Sequence, residues 1–236
     1  MTPETICILD TETDGVDSTQ NVVVEIGAVW WHIDLGCMLA CWSELVVRES
    51  NAAQGANGIP PEALRYGLPW EHAMEGLKSR VARADLIMAH NESFDRGFVG
   101  DLGKIWICTM DHFPWPSAES GQALIKVAVA HGVAVTQAHR ALSDCLLISR
   151  ALERVHEREG ADGIRERLRL AQRPRSRCVA VLPYERKDEA KNLKFRWSPD
   201  MKSWWKDVVD EEIGKLPFQV RQVSPTSAEY VGLAKR

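Results

Sequence analysis

The sequence lacks a paired-cysteine motif. Six cysteines are scattered over 236 residues, and none of them belongs to a C-x-x-C pair. Cys37 and Cys41 lie four positions apart, but no third and fourth ligand follows nearby, so the pattern does not support a zinc site. We therefore expect reduced thiols packed in the core of a cytoplasmic protein.

Long apolar runs are also missing from the sequence. No stretch approaches the length of a membrane-spanning helix, and no basic region followed by an apolar one marks the N-terminus. Both absences argue against secretion and membrane insertion, and they predict a protein without a membrane partner. An apolar content of 45% and a charged content of 26% are ordinary for a soluble globular protein.

Positive charge is scarce in the first part of the chain. Residues 1–160 contain 12 Lys and Arg against 22 Asp and Glu, a net of −10, whereas residues 161–236 contain 17 against 11, a net of +6. This asymmetry predicts two parts with different roles. We expect an α/β domain over 1–160, a basic linker or helix over 161–177, a small basic module rich in aromatic residues over 178–220 and a tail over 221–236.

Hydrophobic patterning predicts that strands and helices are mixed in the first part. The first three of the expected strands form a mainly antiparallel start, and the full set covers 5–10, 21–33, 37–47, 85–91 and 104–110. Helices are expected over 69–84, 92–100, 120–133 and 139–159. Mixed elements of this kind indicate an α/β fold.

Two carboxylates stand at the end of the first expected strand, in the segment ILDTETDG. Asp10 and Glu12 are two residues apart, so their side chains point to the same face of the strand. Functional groups are common at the carboxyl ends of the strands in open α/β sheets. Taken alone, an Asp-x-Glu pair also occurs by chance, as solvated decoration of a turn.

Asp144 is a carboxylate on an apolar helix surface. Leu147, Ile148 and Ala151 share its side of the expected helix, and a buried, unpaired carboxylate needs a cation or several hydrogen-bond donors. The structural alternative is a first-turn acid that the helix dipole favours. Asp95 follows a buried strand at the start of another helix, where the same alternative applies.

His139 lies on the loop just before the helix of Asp144. Histidine titrates near neutral pH, as a general base requires, although a lone histidine in such a position is often structural. Carboxylate oxygens suit Mg²⁺ or Mn²⁺, and two such ions can activate water and stabilise a leaving oxygen in phosphodiester cleavage. The residues together are thus typical of metal-assisted hydrolysis.

Four segments resemble the motifs of a known family in their order and spacing. LDTETDG, VVEIGAV, AHNESFD and HRALSDCLL are similar to the motifs of DEDD-type 3′–5′ exonucleases. The similarity is to the histidine branch, which includes the epsilon proofreading subunits of bacterial DNA polymerase III. This resemblance implies a ribonuclease-H-like fold, in which helices flank a mixed five-stranded sheet.

The resemblance also implies that four carboxylates hold two divalent ions, Mg²⁺ or Mn²⁺. The first ion would be held by Asp10, Glu12 and Asp144. Asp10 would bridge to the second ion, which Asp95 would support. His139 would orient and deprotonate the attacking water.

Three further positions match residues that touch the terminal nucleotide in the family, namely Thr11, Thr13 and Asn91. The family often has Thr-Gly where this chain has Asp14-Gly15. Because Asp-Gly is typical of turns, we expect Asp14 to shape a turn and not to bind metal.

The basic C-terminal part resembles a small module of bacterial, phage and plasmid proteins, and the resemblance supplies no function for it. Aromatic residues interleaved with lysines suit single-stranded nucleic acid, through base stacking and phosphate contacts. A unit of this size also needs aromatic residues for its core, to which we assign Trp197. The candidate nucleic-acid contacts are Lys187, Lys191, Lys194, Lys202, Trp204 and Trp205.

The sequence therefore predicts a two-metal-ion 3′–5′ exonuclease that releases nucleoside monophosphates from single-stranded or frayed DNA ends. An exoribonuclease similar to oligoribonuclease or RNase T is an alternative, although DNA is favoured over RNA as the partner. A catalytically silent nucleic-acid-binding protein is a second alternative, which the complete set of ligands and base disfavours. A polymerase partner is conceivable for such an enzyme, but nothing in the sequence supports one.

Overall fold

The computed structural model describes residues 3–119 and 121–224, together with Ser227, Glu229 and Leu233. The first residue of the helix expected over 120–133 and most of the tail expected over 221–236 lie outside the described residues. The chain divides between Gln172 and Arg173 into two units. Among the described residues, no helix has both the length and the apolar character needed to cross a membrane.

A mixed five-stranded sheet organises the N-terminal unit, in the order β3-β2-β1-β4-β5. β1 pairs antiparallel with β2 and parallel with β4, β2 pairs antiparallel with β3, and β4 pairs parallel with β5. The expected fold class and the antiparallel start are thus confirmed. The strands are β1 (Thr5–Thr13), β2 (Val23–His32), β3 (Cys37–Leu45), β4 (Leu86–Ala89) and β5 (Ile105–Cys108).

Helices cover both faces of this sheet. They are α1 (Gln54–Asn57), α2 (Pro61–Leu64), α3 (Trp70–Val81), α4 (Glu92–Val99), α5 (Leu124–Ala130) and α6 (Ala141–Ala171). The buried side of α3 packs on one face of the sheet, and α5 and α6 pack on the other. The sheet is therefore the middle layer of three.

The alternation of β1 assigns its side chains to two cores. Ile6 and Ile8 belong to the core shared with α6, whereas Cys7 and Leu9 belong to the core shared with α3. Because successive strand side chains point to opposite faces, the even-numbered positions of β1 all face α6. Asp10 continues this even-numbered series toward the carboxyl end of the strand.

The first turn of α6 approaches β2 closely at Gly27. A Cβ built there would lie 2.4 Å from the carbonyl carbon of Ala141 and from the amide nitrogen of Leu142. Gly27 pairs with Asp10 across the two strands. The glycine therefore allows the start of α6 to lie against the sheet, next to the end of β1.

The segment expected as a basic linker or helix over 161–177 is divided between the two units. Gly160 interrupts α6 with a left-handed φ of 68°, and the helix then continues to Ala171. Ile164, Leu168 and Ala171 lie at helical spacing and are buried in the α6 core. Their burial moves the boundary of the first unit from the expected residue 160 to Gln172.

The C-terminal unit is a four-stranded antiparallel sheet in the order β7-β8-β6-β9, with a short helix after its first strand. A small core forms around Cys178, Phe195, Val208 and Phe218. Its elements are β6 (Arg175–Val181), a 3₁₀ turn (Tyr184–Arg186), α7 (Lys187–Asn192), β7 (Arg196–Ser198), β8 (Ser203–Val209), α8 (Asp210–Ile213) and β9 (Gln219–Gln222).

The expectation that all six cysteines lie in the core is wrong for two of them. All six thiols are free, and four are buried, but Cys37 and Cys41 are exposed. Both belong to β3, which forms the edge of the five-stranded sheet. An edge strand lacks the neighbour on one side that would cover its side chains.

Replacement of Gly27 by alanine tests the close approach of α6. The new Cβ would meet backbone atoms of Ala141 and Leu142, which cannot rotate away as a side chain can. We expect Gly27→Ala to lower the free energy of unfolding by about 2–3 kcal/mol, measured by urea denaturation. Gly55→Ala is the matched control, because a Cβ at this helical glycine meets no atom within 4 Å. Equal stability of the two variants would contradict the close approach.

Candidate active site

Carboxylates from three elements converge at the carboxyl end of β1. Asp10 and Glu12 lie on β1, and Asp144 lies in the first turn of α6. One oxygen of each of these three carboxylates lies within 4.8 Å of the others, a separation that allows a single metal ion to be held between them. Asp10 and Glu12 face the start of α6 because alternation turns the even-numbered side chains of β1 toward this helix.

Asp95 reaches the same edge from α4, the helix that follows β4. It is 2% exposed, and its Oδ1 accepts hydrogen bonds from the backbone amide and the hydroxyl of Thr11, at 2.9 and 2.8 Å. Because β4 runs parallel to β1, the carboxyl ends of the two strands lie at the same edge. The side chain of Thr11 points to the opposite face of β1 from that of Asp10. Its two hydrogen bonds hold Asp95 at the carboxyl end of β1.

Burial and neighbouring carboxylates raise the pKa values of Asp10 and Glu12. Burial raises the pKa of Asp10 well above its usual range, and the charges of Asp95, Asp144 and Glu12 raise it further. Burial raises the pKa of Glu12 to about 8, and Asp144, Glu25 and Asp95 add to this rise. A cluster that resists ionisation in this way is stabilised by bound cations.

Asp144 has an oxygen available for a ligand. Burial raises the pKa of Asp144, while the charge of His139 and a hydrogen bond from the His139 backbone oppose the rise. Among the described residues, none donates a hydrogen bond to its buried Oδ1. A buried carboxylate oxygen without a donor is costly unless a cation or water satisfies it.

His139 lies at the rim of the cluster, two residues before α6. Its side chain is exposed, and its backbone adopts a left-handed φ of 59°. This conformation is uncommon for a residue other than glycine and often marks a functional position. The structure therefore places His139 beside Asp144 and open to solvent, on the loop where the sequence predicts it.

The three expected nucleotide-contact residues are used mainly within the protein. Thr11 is buried and bonds Asp95, and the Thr13 hydroxyl donates to the carbonyl of Gly15 at 2.6 Å. Asn91 adopts a left-handed φ of 80° at the start of α4 and is half-buried. The hydroxyl protons of Thr11 and Thr13 are therefore already engaged within the protein.

Asp14 shapes a turn, as the Asp-Gly pair predicts. Its side chain accepts a hydrogen bond from the amide of Val22 at 2.7 Å, and its own amide donates to the Val22 carbonyl at 3.0 Å. The loop between β1 and β2 is closed by these two bonds. Asp14 is accordingly not part of the carboxylate cluster.

Sequence reasoning missed two charged residues that lie directly behind the cluster. Glu25 on β2 is 2% exposed and pairs with Glu12 across the strands. The guanidinium of Arg140, the residue before α6, bonds the carboxylate of Glu25 at 2.7 and 2.9 Å. A usable signal was present, because Glu25 is the one charged residue in the apolar run VVVEIGAVWW.

Two tryptophans of the C-terminal unit are located opposite to the prediction: one expected at the surface is buried, and one expected in the core is exposed. Trp205 is 6% exposed, with Arg177 stacked 4.4 Å from its ring centroid, so it offers no face to a base. Trp197, which the sequence analysis assigns to the core, is 45% exposed, and its ring lies 5.5 Å from that of Trp204. Alternation along β8 turns Trp205 toward Val179, whereas Trp197 is exposed on β7, an edge strand of the sheet.

The lysines expected to contact nucleic acid lie near the surface of this unit. Lys191, Lys194 and Lys202 are exposed. Lys187 is half-buried, and its ammonium lies 3.9 Å from the ring centroid of Tyr184.

Comparison with known proteins finds sequence and structural similarity to exonucleases in the N-terminal unit. Over 155 residues the chain is 32% identical to Exodeoxyribonuclease 10 of Escherichia coli strain K12, a match that spans 61% of this chain and 66% of that protein. The solved structure of Exonuclease X in complex with 5′ overhanging duplex DNA is 27% identical, with a TM-score of 0.54. The alignment covers 69% of this chain and 98% of that one. The N-terminal unit is thus similar in sequence to an exodeoxyribonuclease, and the chain spans just under two thirds of that relative's length.

A DEDDh enzyme of low sequence identity shares the fold. The nuclease domain of 3′hExo, a DEDDh family member bound to rAMP, is 13% identical with a TM-score of 0.55, over 67% of this chain and 94% of that one. Residues 178–223 match a family described as a domain of unknown function, DUF8626. The similarity to exonucleases therefore concerns the N-terminal unit, whereas the match to DUF8626 lies within the C-terminal unit.

DEDDh exonucleases imply divalent metal ions, and the residues present fit them. The donor set consists of carboxylate oxygens, the ligands that Mg²⁺ and Mn²⁺ prefer. Asp144 Oδ1 is buried without a hydrogen-bond donor among the described residues, and the pKa values of the cluster are raised. Both features are costs that a bound cation would remove.

Removal of one charge from the cluster should stabilise the metal-free protein. The folded state raises the pKa of Asp10, so its ionised form is disfavoured at neutral pH and the unfolded state gains in relative stability. We expect Asp10→Asn to raise the free energy of unfolding in EDTA by about 1–3 kcal/mol, measured by thermal denaturation. Addition of Mg²⁺ should raise the melting temperature of the wild type and leave that of Asp10→Asn unchanged.

The control for this prediction is Asp101→Asn, which removes an exposed acid paired with Arg96. It should change neither the stability in EDTA nor the response to Mg²⁺, because an exposed ion pair contributes little. If Asp10→Asn were less stable than the wild type in EDTA, the carboxylates would not repel one another as described.

Proposed function

We propose that this protein is a divalent-metal-dependent 3′–5′ exonuclease that releases nucleoside monophosphates from single-stranded or frayed DNA ends. The observation that carries the proposal is the convergence of three carboxylates from β1 and α6, with buried Asp95 of α4 bonded to Thr11 and an exposed histidine beside Asp144. Similarity to an exodeoxyribonuclease, and a fold shared with a DEDDh exonuclease, support the same reaction.

Each residue of the site has a proposed part. Asp10, Glu12 and Asp144 would hold one divalent ion, and Asp10 with Asp95 would hold a second. When bound, the ions supply charge stabilisation for the phosphodiester and lower the pKa of water. His139 would accept the proton of the attacking water, since it is exposed to solvent and lies beside Asp144.

DNA is the proposed substrate in preference to RNA. The relative at 32% identity is an exodeoxyribonuclease, and the 27% identical structure contains duplex DNA with a 5′ overhang. A 3′-exonuclease that recognises a histone mRNA stem-loop shares the fold at 13% identity, which says nothing about the substrate of this chain. The exoribonuclease alternative is therefore not favoured.

Degradation of oligonucleotides labelled at the 3′ end tests the reaction. We expect the wild type with Mg²⁺ to release labelled mononucleotide from single-stranded DNA and to be inactive in EDTA. His139→Ala should lower kcat by about 10²–10⁴-fold, the usual contribution of a general base. Asp10→Ala should reduce turnover to background, and equal digestion by Asp10→Ala and the wild type would refute the proposal.

The same assay decides the nature of the substrate. Matched DNA and RNA oligonucleotides of identical sequence should be compared, each as a single strand and as a duplex with a blunt end. We expect single-stranded DNA to give the highest kcat/KM. Faster degradation of RNA than of DNA would favour the exoribonuclease, and binding without any hydrolysis would favour a silent nucleic-acid-binding protein.

The C-terminal unit is proposed to bind single-stranded nucleic acid through exposed aromatic rings and lysines. Residues 173–236 contain 14 Lys and Arg against 9 Asp and Glu, a net of +5. Two aromatic rings, Trp197 and Tyr184, are 45% and 70% exposed. Bases stack on such rings in a sequence-tolerant way, and lysines contact the phosphates.

A full-length variant tests this second role. We expect Trp197→Ala to weaken binding of a fluorescent oligo-dT in EDTA by about 5- to 150-fold, the loss of one base stack, while kcat at saturating substrate is retained. Lys202→Ala should make the salt dependence of binding less steep by about 0.7 in the log–log slope. Lys78→Ala, at an exposed lysine on α3, is the control. Wild-type affinity and slope in both variants would show that the unit does not bind DNA.

A further inference from the structure

Glu25 is a buried carboxylate whose hydrogen bonds all connect β2 to its neighbours. It lies on the face of β2 that packs against α6, two residues before Gly27. Its side chain is 3% exposed. A carboxylate buried to this degree is stable only when charge and hydrogen bonds compensate it.

The buried charge of Glu25 is compensated mainly by groups at the start of α6. Arg140 donates from Nε to Oε2 at 2.9 Å and from Nη2 to Oε1 at 2.7 Å, which is a bidentate pair. The backbone amide of Ala141 donates to Oε2 at 3.0 Å, and the Ser43 hydroxyl of β3 donates to Oε1 at 3.1 Å. Bidentate arginine–carboxylate pairs fix orientation as well as distance.

Glu25 also replaces the missing cap of this helix. The N-cap position of α6 is Arg140, whose side chain makes no capping bond to the helix. The first amides of a helix need an acceptor from outside the helix. Glu25 supplies one to Ala141 from the neighbouring strand, so the helix begins where β2 places it.

This contact joins the two halves of the carboxylate cluster. Glu25 lies opposite Glu12 in the strand register. Arg140 is flanked by His139 on one side, and its carbonyl accepts the amide of Asp144 at 3.0 Å on the other. The bonds between Glu25 and Arg140 therefore connect the strand that carries two carboxylates to the turn that carries the third carboxylate and the histidine.

We propose that Glu25 and Arg140 are positioning residues that hold Asp144 and His139 in register with Asp10 and Glu12. Neither residue needs to touch metal or substrate to act in this way. For its effect on turnover the proposal rests on the proposed function, whereas its effect on metal affinity does not. Loss of the outer partners of metal ligands commonly weakens metal affinity or activity by about 10–100-fold.

The test uses full-length variants and two readouts, Mn²⁺ affinity by calorimetry and steady-state kinetics on single-stranded DNA with saturating Mg²⁺. The double variant Glu25→Gln/Arg140→Gln removes the bidentate pair without leaving a buried charge. We expect it to weaken Mn²⁺ binding and to lower kcat by about 10–100-fold each, with KM for DNA changed by less than about 3-fold. A merely structural role would lower the calorimetric stoichiometry and leave the affinity of the folded fraction unchanged.

Two further variants sharpen the outcome. Arg140→Lys keeps the charge but not the planar fork, so it should recover little of the Mn²⁺ affinity. Arg150→Gln removes an arginine of the same helix that is paired with Glu153 at the surface, and it should behave as the wild type. Full recovery in Arg140→Lys, or wild-type Mn²⁺ affinity in the double variant, would overturn the proposal.

The two proposals fail separately. A wild type that binds Mn²⁺ but degrades no oligonucleotide would refute the exonuclease, while the Mn²⁺ affinities would still decide the role of Glu25 and Arg140. An active wild type and an equally active, equally Mn²⁺-binding double variant would refute the positioning role and leave the exonuclease standing.

Discussion

Repulsion among carboxylates gathered at the end of β1 is the constraint on which the rest of the N-terminal unit depends. Burial, and then the charges of Asp95 and Asp144, raise the pKa values of Asp10 and Glu12, so the protein must hold these carboxylates together against their charge. A sheet buried on both faces by separate cores provides that rigidity, because its backbone cannot yield as a loop would. Divalent cations that bind here would relieve this repulsion, and the relief would add to their binding affinity.

Behind the carboxylates, the nearby polar groups serve to place them. Thr11 uses its amide and hydroxyl to hold Asp95, and Glu25 uses its carboxylate to hold Arg140 and the start of α6. Gly27 completes this layer by leaving space for the helix backbone. Asp95 is thus oriented by a partner on another element, and Glu25 holds the start of the helix that carries Asp144; sites of precise geometry are built from rigid parts in this way.

The two units carry opposite charge, and each sign suits the chemistry proposed for it. The acidic unit gathers carboxylates that divalent cations can neutralise, whereas the basic unit presents lysines and exposed aromatic rings. An acidic surface alone would repel a phosphate backbone. Metal ions at the site and a basic unit in the same chain are two independent ways of reversing that repulsion.

Local sequence pattern was sufficient to predict much of the fold and the positions of several residues of the candidate site. Strand alternation placed Asp10 and Glu12 on one face, helix spacing placed Asp144 on an apolar surface, and the Asp-Gly pair marked Asp14 as a turn residue. These inferences succeed because each depends on the backbone geometry of a few neighbouring residues. The mixed five-stranded sheet followed from the family resemblance of four motifs.

Only the tertiary structure decided which distant groups meet. Glu25 and Arg140 are 115 positions apart, and nothing in either segment indicates the other. The exchange of Trp197 and Trp205 between surface and core, and the burial of residues 161–171 in the first unit, depend equally on what packs against each face. Sequence pattern alone indicates which residues share a face of one element, because that is local geometry. Which face lies against which partner is a property of the whole packed fold, and only the tertiary structure shows it.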